Sequence, residues 1–389
     1  VRRLIGLSCA IVLVETTFFA ALSPLLPRFA DELDLSKGES GLLVATYALG
    51  GLLGGIPSGL VATRLGVKAT VALGLFLLTA ASVLFGVVST YWLLDLTRLV
   101  QGVAGALCWT GALAWLVDAT PRERRGETIG IAMSAAVVGA LLGPVVGGAA
   151  SHFGRAPTFG GIAGLALVLG LVALELPSPA PEERQPLGIL LVALKDRQVL
   201  AGMWLLTLPA FLFGTLSVLG PLQLDELGWS ALGVAGTFVV SAALEAAFSP
   251  LIGRWSDRKG RLAPIRVGLV GSLAVALAIP WIDERWLLSA LVVLAGVSFG
   301  TFWAPSMAML SDGWEAIGVG HGLGFALMNF AWAPGNVVGA AAGGGIAQAV
   351  GDLASYAVLA ALCAITFVLV HGLRRQAALA AATRVSSPG

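Results

Sequence analysis

Long apolar runs separated by short polar breaks dominate the chain. A helix of about 20 apolar residues crosses the hydrocarbon core of a bilayer. Twelve such runs are present, near residues 5–27, 40–62, 70–90, 92–117, 128–150, 158–176, 199–222, 231–252, 264–281, 287–311, 318–343 and 354–373. The pattern predicts an all-α membrane protein, because in lipid each helix satisfies its own backbone polar groups. The breaks leave no room for a soluble domain. The longest, 177–198, contains Pro-Ser-Pro-Ala-Pro-Glu-Glu-Arg. It reads as a cytoplasmic linker between an N-terminal six-helix bundle, 1–176, and a C-terminal one, 199–389, which ends in a short tail.

Composition agrees. Hydrophobic residues make up 57% of the chain and charged residues 12%, against about 25% charged in an ordinary soluble domain. A soluble fold could not hide that much apolar surface, whereas lipid accepts it. The 51 glycines lie largely inside the apolar runs, where small residues let helices approach closely. A net charge of +1 without a basic segment argues against nucleic acid as a partner. Cys9, Cys108 and Cys363 all fall in apolar runs, with neither metal-ligand spacing nor a disulfide framework. No metal or cofactor is implied. The first run carries no A-x-A-like cleavage site and reads as a span rather than a signal peptide.

Basic residues set the sidedness, since cytoplasmic loops carry the excess of Lys and Arg. With both termini in the cytoplasm, eighteen fall on the cytoplasmic side and four outside, at Arg28, Lys37, Arg155 and Arg285. Arg98 lies deep within a span. The expectation is a multi-pass protein of a cytoplasmic (inner) membrane, acting as a monomer among lipid.

The two halves repeat. Gly59-Leu-Val-Ala-Thr63-Arg64-Leu-Gly66-Val-Lys68 aligns without gaps on Gly253-Arg-Trp-Ser-Asp257-Arg258-Lys-Gly260-Arg261-Leu, at an offset of 194. The same offset pairs Asp118 with Asp312, at the ends of the fourth and tenth spans. In each copy the two glycines are expected to permit a close turn. Asp257 is expected at a helix N-terminus, with Arg258 and Arg261 pairing with acids nearby. Such contacts would hold the cytoplasmic end shut in an outward-facing state. Gly139, Gly143 and Gly147 recur every four residues around Pro144, with Gly148 beside them, and Gly335, Gly339 and Gly343 match them in the eleventh span. As a pair, these ladders would form a dry seam that limits proton leak.

The second loop copy resembles the G-x-x-x-D-R-x-G-R-x signature of the major facilitator superfamily. Arg98-Leu-Val-Gln101-Gly102 is similar to that family's R-x-x-Q-G motif. Gly139-x-x-x-Gly143-Pro144-x-x-Gly147-Gly148 resembles the motif of its proton-coupled antiporter branch. The resemblance covers the whole chain and implies twelve helices in two pseudo-symmetric bundles, with the substrate site between them. The first loop copy departs from the signature, because Thr63 stands in place of the aspartate.

Charges inside spans point to function. Glu15 lies mid-way in the first span and Glu245 in the eighth; Arg98 needs an acid partner or a wet cavity. Glu15 precedes Pro24 by nine residues, and Pro305 precedes Asp312 by seven. That spacing looks like the vesicular amine transporters and related bacterial drug:proton antiporters. In those relatives the acid of the first helix meets the substrate amine, and the role carries over to Glu15. Tyr47 stands where the vesicular relatives have a lysine, and Asn329 where they have an aspartate. Of the aromatic residues in the spans, Trp109 and Trp303 are candidates to hold an organic cation over their rings. The resemblance implies export of small organic cations or amphipathic drugs in exchange for protons, by alternating access. Proton-coupled transport of a neutral solute such as a sugar, and a non-transporting membrane receptor or enzyme, are the alternatives.

Overall fold

The computed structural model describes residues 2–120, 125–177, 188–319 and 321–385, and every regular element among them is helical. The first span is α1 (Arg2–Ala20) and α2 (Leu26–Leu33), joined through a 3-10 turn at Ser23–Leu25. Then come α3 (Lys37–Leu65), α4 (Val67–Val87), α5 (Tyr91–Asp118), α6 (Arg125–Phe153) and α7 (Arg155–Glu175). The short α8 (Gly188–Ala193) lies in the expected linker, of which 178–187 fall outside the described residues. The second half holds α9 (Arg197–Glu226), α10 (Ala231–Lys259), α11 (Leu262–Ala278), the broken pair α12 (Arg285–Gly300) and α13 (Trp303–Ile317), α14 (His321–Val350) and α15 (Asp352–Val385).

Among the described residues, eleven segments are long and apolar enough to cross a membrane. The thirty-residue α14, which contains no Asp, Glu, Lys or Arg, makes twelve. The helices form two six-helix bundles.

Glycine ladders set the packing inside each half. α6 lies along α1 and α14 along α9. A methyl group on Gly139 would meet the carbonyl of Leu13 and the side chain of Thr16; on Gly143 it would meet Ala20. Gly335, Gly339 and Gly343 face Thr207, Phe211 and Thr215 in the same way. Thr17 Oγ1 donates to the Gly139 carbonyl at 3.3 Å, and Thr215 Oγ1 to the Gly339 carbonyl at 2.8 Å. The ladders therefore do not form one seam together. Each seals the leading helix of its own half, because a bare glycine face accepts the nearest helix backbone.

The repeated loop is also made differently from the expectation. Gly66 (φ 86°) and Gly260 (φ 88°) end α3 and α10 in the left-handed region that glycine tolerates. Gly59 and Gly253 lie inside those helices, with open space where a Cβ would stand. One glycine of each copy makes the turn, and the other is dispensable to it.

The halves meet along α3 with α14 and along α6 with α10. At the end bearing Lys37, its ammonium reaches Asp352 at 2.9 Å and Glu226 at 3.2 Å. The Gly38 amide donates to Gln348 Oε1 at 3.1 Å, and Gln223 Nε2 to Asp352 at 2.8 Å. On the other seam Gly148 faces Ala235, which is the use its position next to the ladder serves. Deeper in, Phe19 meets Trp332 edge-on, ring centroids 5.5 Å apart.

Candidate functional site

Three helices converge on Glu15. The Tyr47 hydroxyl, on α3, donates to Glu15 Oε1. Trp109 Nε1, on α5, donates to Oε2 at 2.5 Å, and Thr16 Oγ1 reaches the same oxygen at 3.4 Å. Glu15 is 4% exposed. The site exists because α3 and α5 touch backbone to backbone. A Cβ on Gly50 would strike the Leu99 carbonyl, and one on Gly102 the Tyr47 carbonyl. Gly105, one turn before Trp109, leaves the gap that Glu15 and the Tyr47 hydroxyl fill.

Arg98 lies beside this group, 1% exposed. Its Nη1 donates to the Phe18 carbonyl at 3.2 Å and to Gln101 Oε1 at 3.1 Å; Nη2 donates to the Phe19 carbonyl at 3.3 Å. α1 ends at Ala20, two residues further on, and the last carbonyls of a helix have no partner inside it. Arg98 takes two of them. The guanidinium also stacks on the Tyr47 ring, 4.6 Å from its centroid. Gln101 Nε2 in turn donates to Ser82 Oγ at 3.0 Å.

Tyr47 is thus more than a missing lysine. It donates to the acid and carries the arginine on its face. Phe19 packs on Tyr47 at 5.1 Å and on Trp332 of the second half, so an aromatic wall runs from Glu15 across the boundary between halves. Asn329, half-buried, lies one turn before Trp332 on α14. The side chain of Phe325 lies outside the described residues.

Glu245 forms a separate site in the second half. It lies across Gly300, where α12 breaks into α13, and within hydrogen-bond reach of Trp303. Trp303 stacks on Phe213, centroids 5.9 Å apart. Among the described residues Glu15 and Glu245 share no partner.

Asp312 belongs with neither acid. Its carboxylate meets Arg261 Nη2 at 3.5 Å, and Asp257 meets Nη1 of the same arginine at 2.5 Å. Both acids are more than half exposed, so Asp312 is a surface acid on α13 rather than a buried one. Arg64 and Arg258 are exposed, and the side chain of Asp118 lies outside the described residues. One buried group, Asp95, escaped the sequence reading, and Gln101 entered it only as part of a motif. Their three-residue spacing on either side of Arg98 was the available signal.

The family model of the Major Facilitator Superfamily matches residues 8–335 and 246–384. Multidrug resistance protein 1 of Bacillus subtilis (strain 168) is 29% identical over 185 residues, 46% of this chain and 48% of that protein. Quinolone resistance protein NorA of Staphylococcus aureus is 27% identical over 157 residues, 40% of each. These matches therefore span about half the length of either relative, or less. A bacterial homologue of the human lysosomal transporter Spinster, inward-facing and unoccupied, superposes with a TM-score of 0.74 at 15% identity, over 95% of this chain and 96% of that one. The occupied inward-facing form gives 0.68 over 95% and 98%. At that identity the likeness concerns the fold.

Proposed function

The chain belongs to the Major Facilitator Superfamily, and on that premise we propose that it is a secondary active transporter exporting small organic cations or amphipathic drugs in exchange for protons. The observation that carries this reading is the buried Glu15 carboxyl, held by Tyr47 and Trp109 beside the Phe19–Trp332 wall. A carboxyl there takes a proton or a cation, and not both. Aromatic faces next to it add attraction for a cation. The names of the two resistance proteins support the same class of substrate.

Proton and cation then antagonise each other equally in both directions, as linkage requires. Raising pH strengthens cation binding as the carboxylate forms. Glu245, with Trp303, offers a second acid on the facing half. The halves, divided by the 177–198 linker, rock about the site. With the Lys- and Arg-rich end in the cytoplasm of a prokaryote, the end closed by Lys37 faces outward.

The test is efflux of the cationic dye ethidium from proteoliposomes under an imposed pH gradient. The parent should exchange dye for protons. Glu15→Gln keeps the shape but cannot ionise; it should lose proton-driven efflux and most of the pH dependence of dye binding. Parental rate and pH profile in Glu15→Gln would make Glu15 a structural acid.

A further inference from the structure

Asp95 is a buried acid that proton–cation competition at Glu15 leaves without a task. It lies in the second turn of α5 and is 7% exposed. Thr46 Oγ1 donates to its Oδ1 at 3.3 Å. Tyr91, one turn back on the same helix, stands against the carboxylate, with its hydroxyl 3.3 Å from the Glu39 carbonyl. Arg98 follows three residues on, the spacing that brings side chains together on one helix face.

The bonding of Arg98 makes this neighbour significant. Its three hydrogen bonds all go to neutral oxygens, those of Phe18, Phe19 and Gln101. Its Nε has no partner among the described residues, although Arg98 is 1% exposed. No carboxylate is bonded to it. Two stand near enough to act on its charge, Glu15 and Asp95. The titratable and charged groups around Asp95 are Tyr91 and Arg98 on its own helix, Glu39 and Tyr47 on α3, and Glu15 on α1.

Charge counting then assigns the roles. A buried arginine left without a compensating charge is costly. If Glu15 had to neutralise Arg98, it would stay ionised and could not exchange its proton. With Asp95 ionised instead, the cluster is neutral when Glu15 holds a proton. It is equally neutral when Glu15 is ionised and holds a monovalent cation.

We propose that Asp95 is the resident counterion of Arg98, a positioning residue that frees Glu15 to trade a proton for a cation. This rests on Glu15 being the exchanging acid and adds the group that makes it so. The balance also sets the exchange from this cluster at one proton for each monovalent cation.

The experiment is infrared difference spectroscopy on the full chain in lipid nanodiscs at neutral pH, with ethidium added to displace the proton. The carbonyl stretch of a protonated carboxyl that disappears in the parent and is absent from Glu15→Gln reports Glu15. Asp95→Asn should lose that band without touching Glu15, because the carboxylate is drawn to Arg98. Its dye–proton exchange should fall to the Glu15→Gln level. Asp95→Glu should keep both, and Asp95→Asn with Arg98→Gln should bring the band back. A band of parental intensity in Asp95→Asn overturns the proposal, as does a folded double variant without it. If the double variant does not fold, the contrast between Asp95→Asn and Asp95→Glu decides. The parent reading fails separately, through full coupled exchange in Glu15→Gln.

Discussion

Gly105→Ala adds a single methyl group to the point where three helices meet. The added Cβ would stand 2.9 Å from the Tyr47 hydroxyl and 3.3 Å from the Glu15 carboxyl carbon, closer still to its Oε1. The first of these separations is one that Cβ atoms in folded proteins do not adopt. Glu15 has to move, yet Trp109 holds its other oxygen at 2.5 Å, so the methyl breaks the Tyr47 bond or the Trp109 bond. A hydrogen bond to a charged group is worth about 1.5–3 kcal/mol. That corresponds to a loss of roughly 10- to 150-fold in cation affinity, at about 1.4 kcal/mol per tenfold. Stability should change less, because alanine is better than glycine in a helix by about 0.5–1 kcal/mol. The assay is ethidium titration by tryptophan quenching beside thermal unfolding in detergent. Gly55→Ala, in α3 with nothing within 4 Å of its added Cβ, is the control and should bind as the parent does. Parental affinity in Gly105→Ala would refute the claim that the Glu15–Tyr47–Trp109 geometry sets binding.

Two further outcomes follow from the packing. Lys37→Met removes the partner of Asp352 and Glu226. Ion pairs this accessible contribute about 0.2–1 kcal/mol each, so spin-label distances between positions 39 and 348 should shift toward the separated population by a few-fold, and an unchanged distribution would remove Lys37 as a latch. A cysteine at position 39 should react with a membrane-impermeant thiol reagent on intact cells if that end faces outward. Gly260→Ala should destabilise by about 1–3 kcal/mol, the cost of forcing a side chain into a positive-φ extended conformation that glycine alone adopts readily, whereas Gly253→Ala, in open space within α10, should be neutral or slightly stabilising in the same unfolding assay.

The order of residues along the chain already carried the membrane class, the spans and the repeat. Those depend on the run length of apolar residues and on a local match, and both are properties of the chain in order. It also singled out Glu15 and Arg98, because an ionisable side chain in an apolar run is conspicuous wherever the run packs. Contacts between helices were decided only in three dimensions. Tyr47 read as the loss of a lysine, and its hydroxyl became a partner of Glu15 once Gly50 and Gly102 let α3 lie on α5. Asp312 matched Asp118 by offset as a helix-end acid while its spacing from Pro305 offered it as a site acid, and the turn at Gly260 brings Arg261 to it at the surface. Asp95 lies near the start of a span and was passed over, yet Thr46, Tyr91 and Arg98 stand around it and it is buried. The glycine ladders displayed their spacing but not their partners. Spacing is written along one helix, whereas the partner depends on which backbone comes near enough to fill the groove, and that is settled only when all twelve helices pack together.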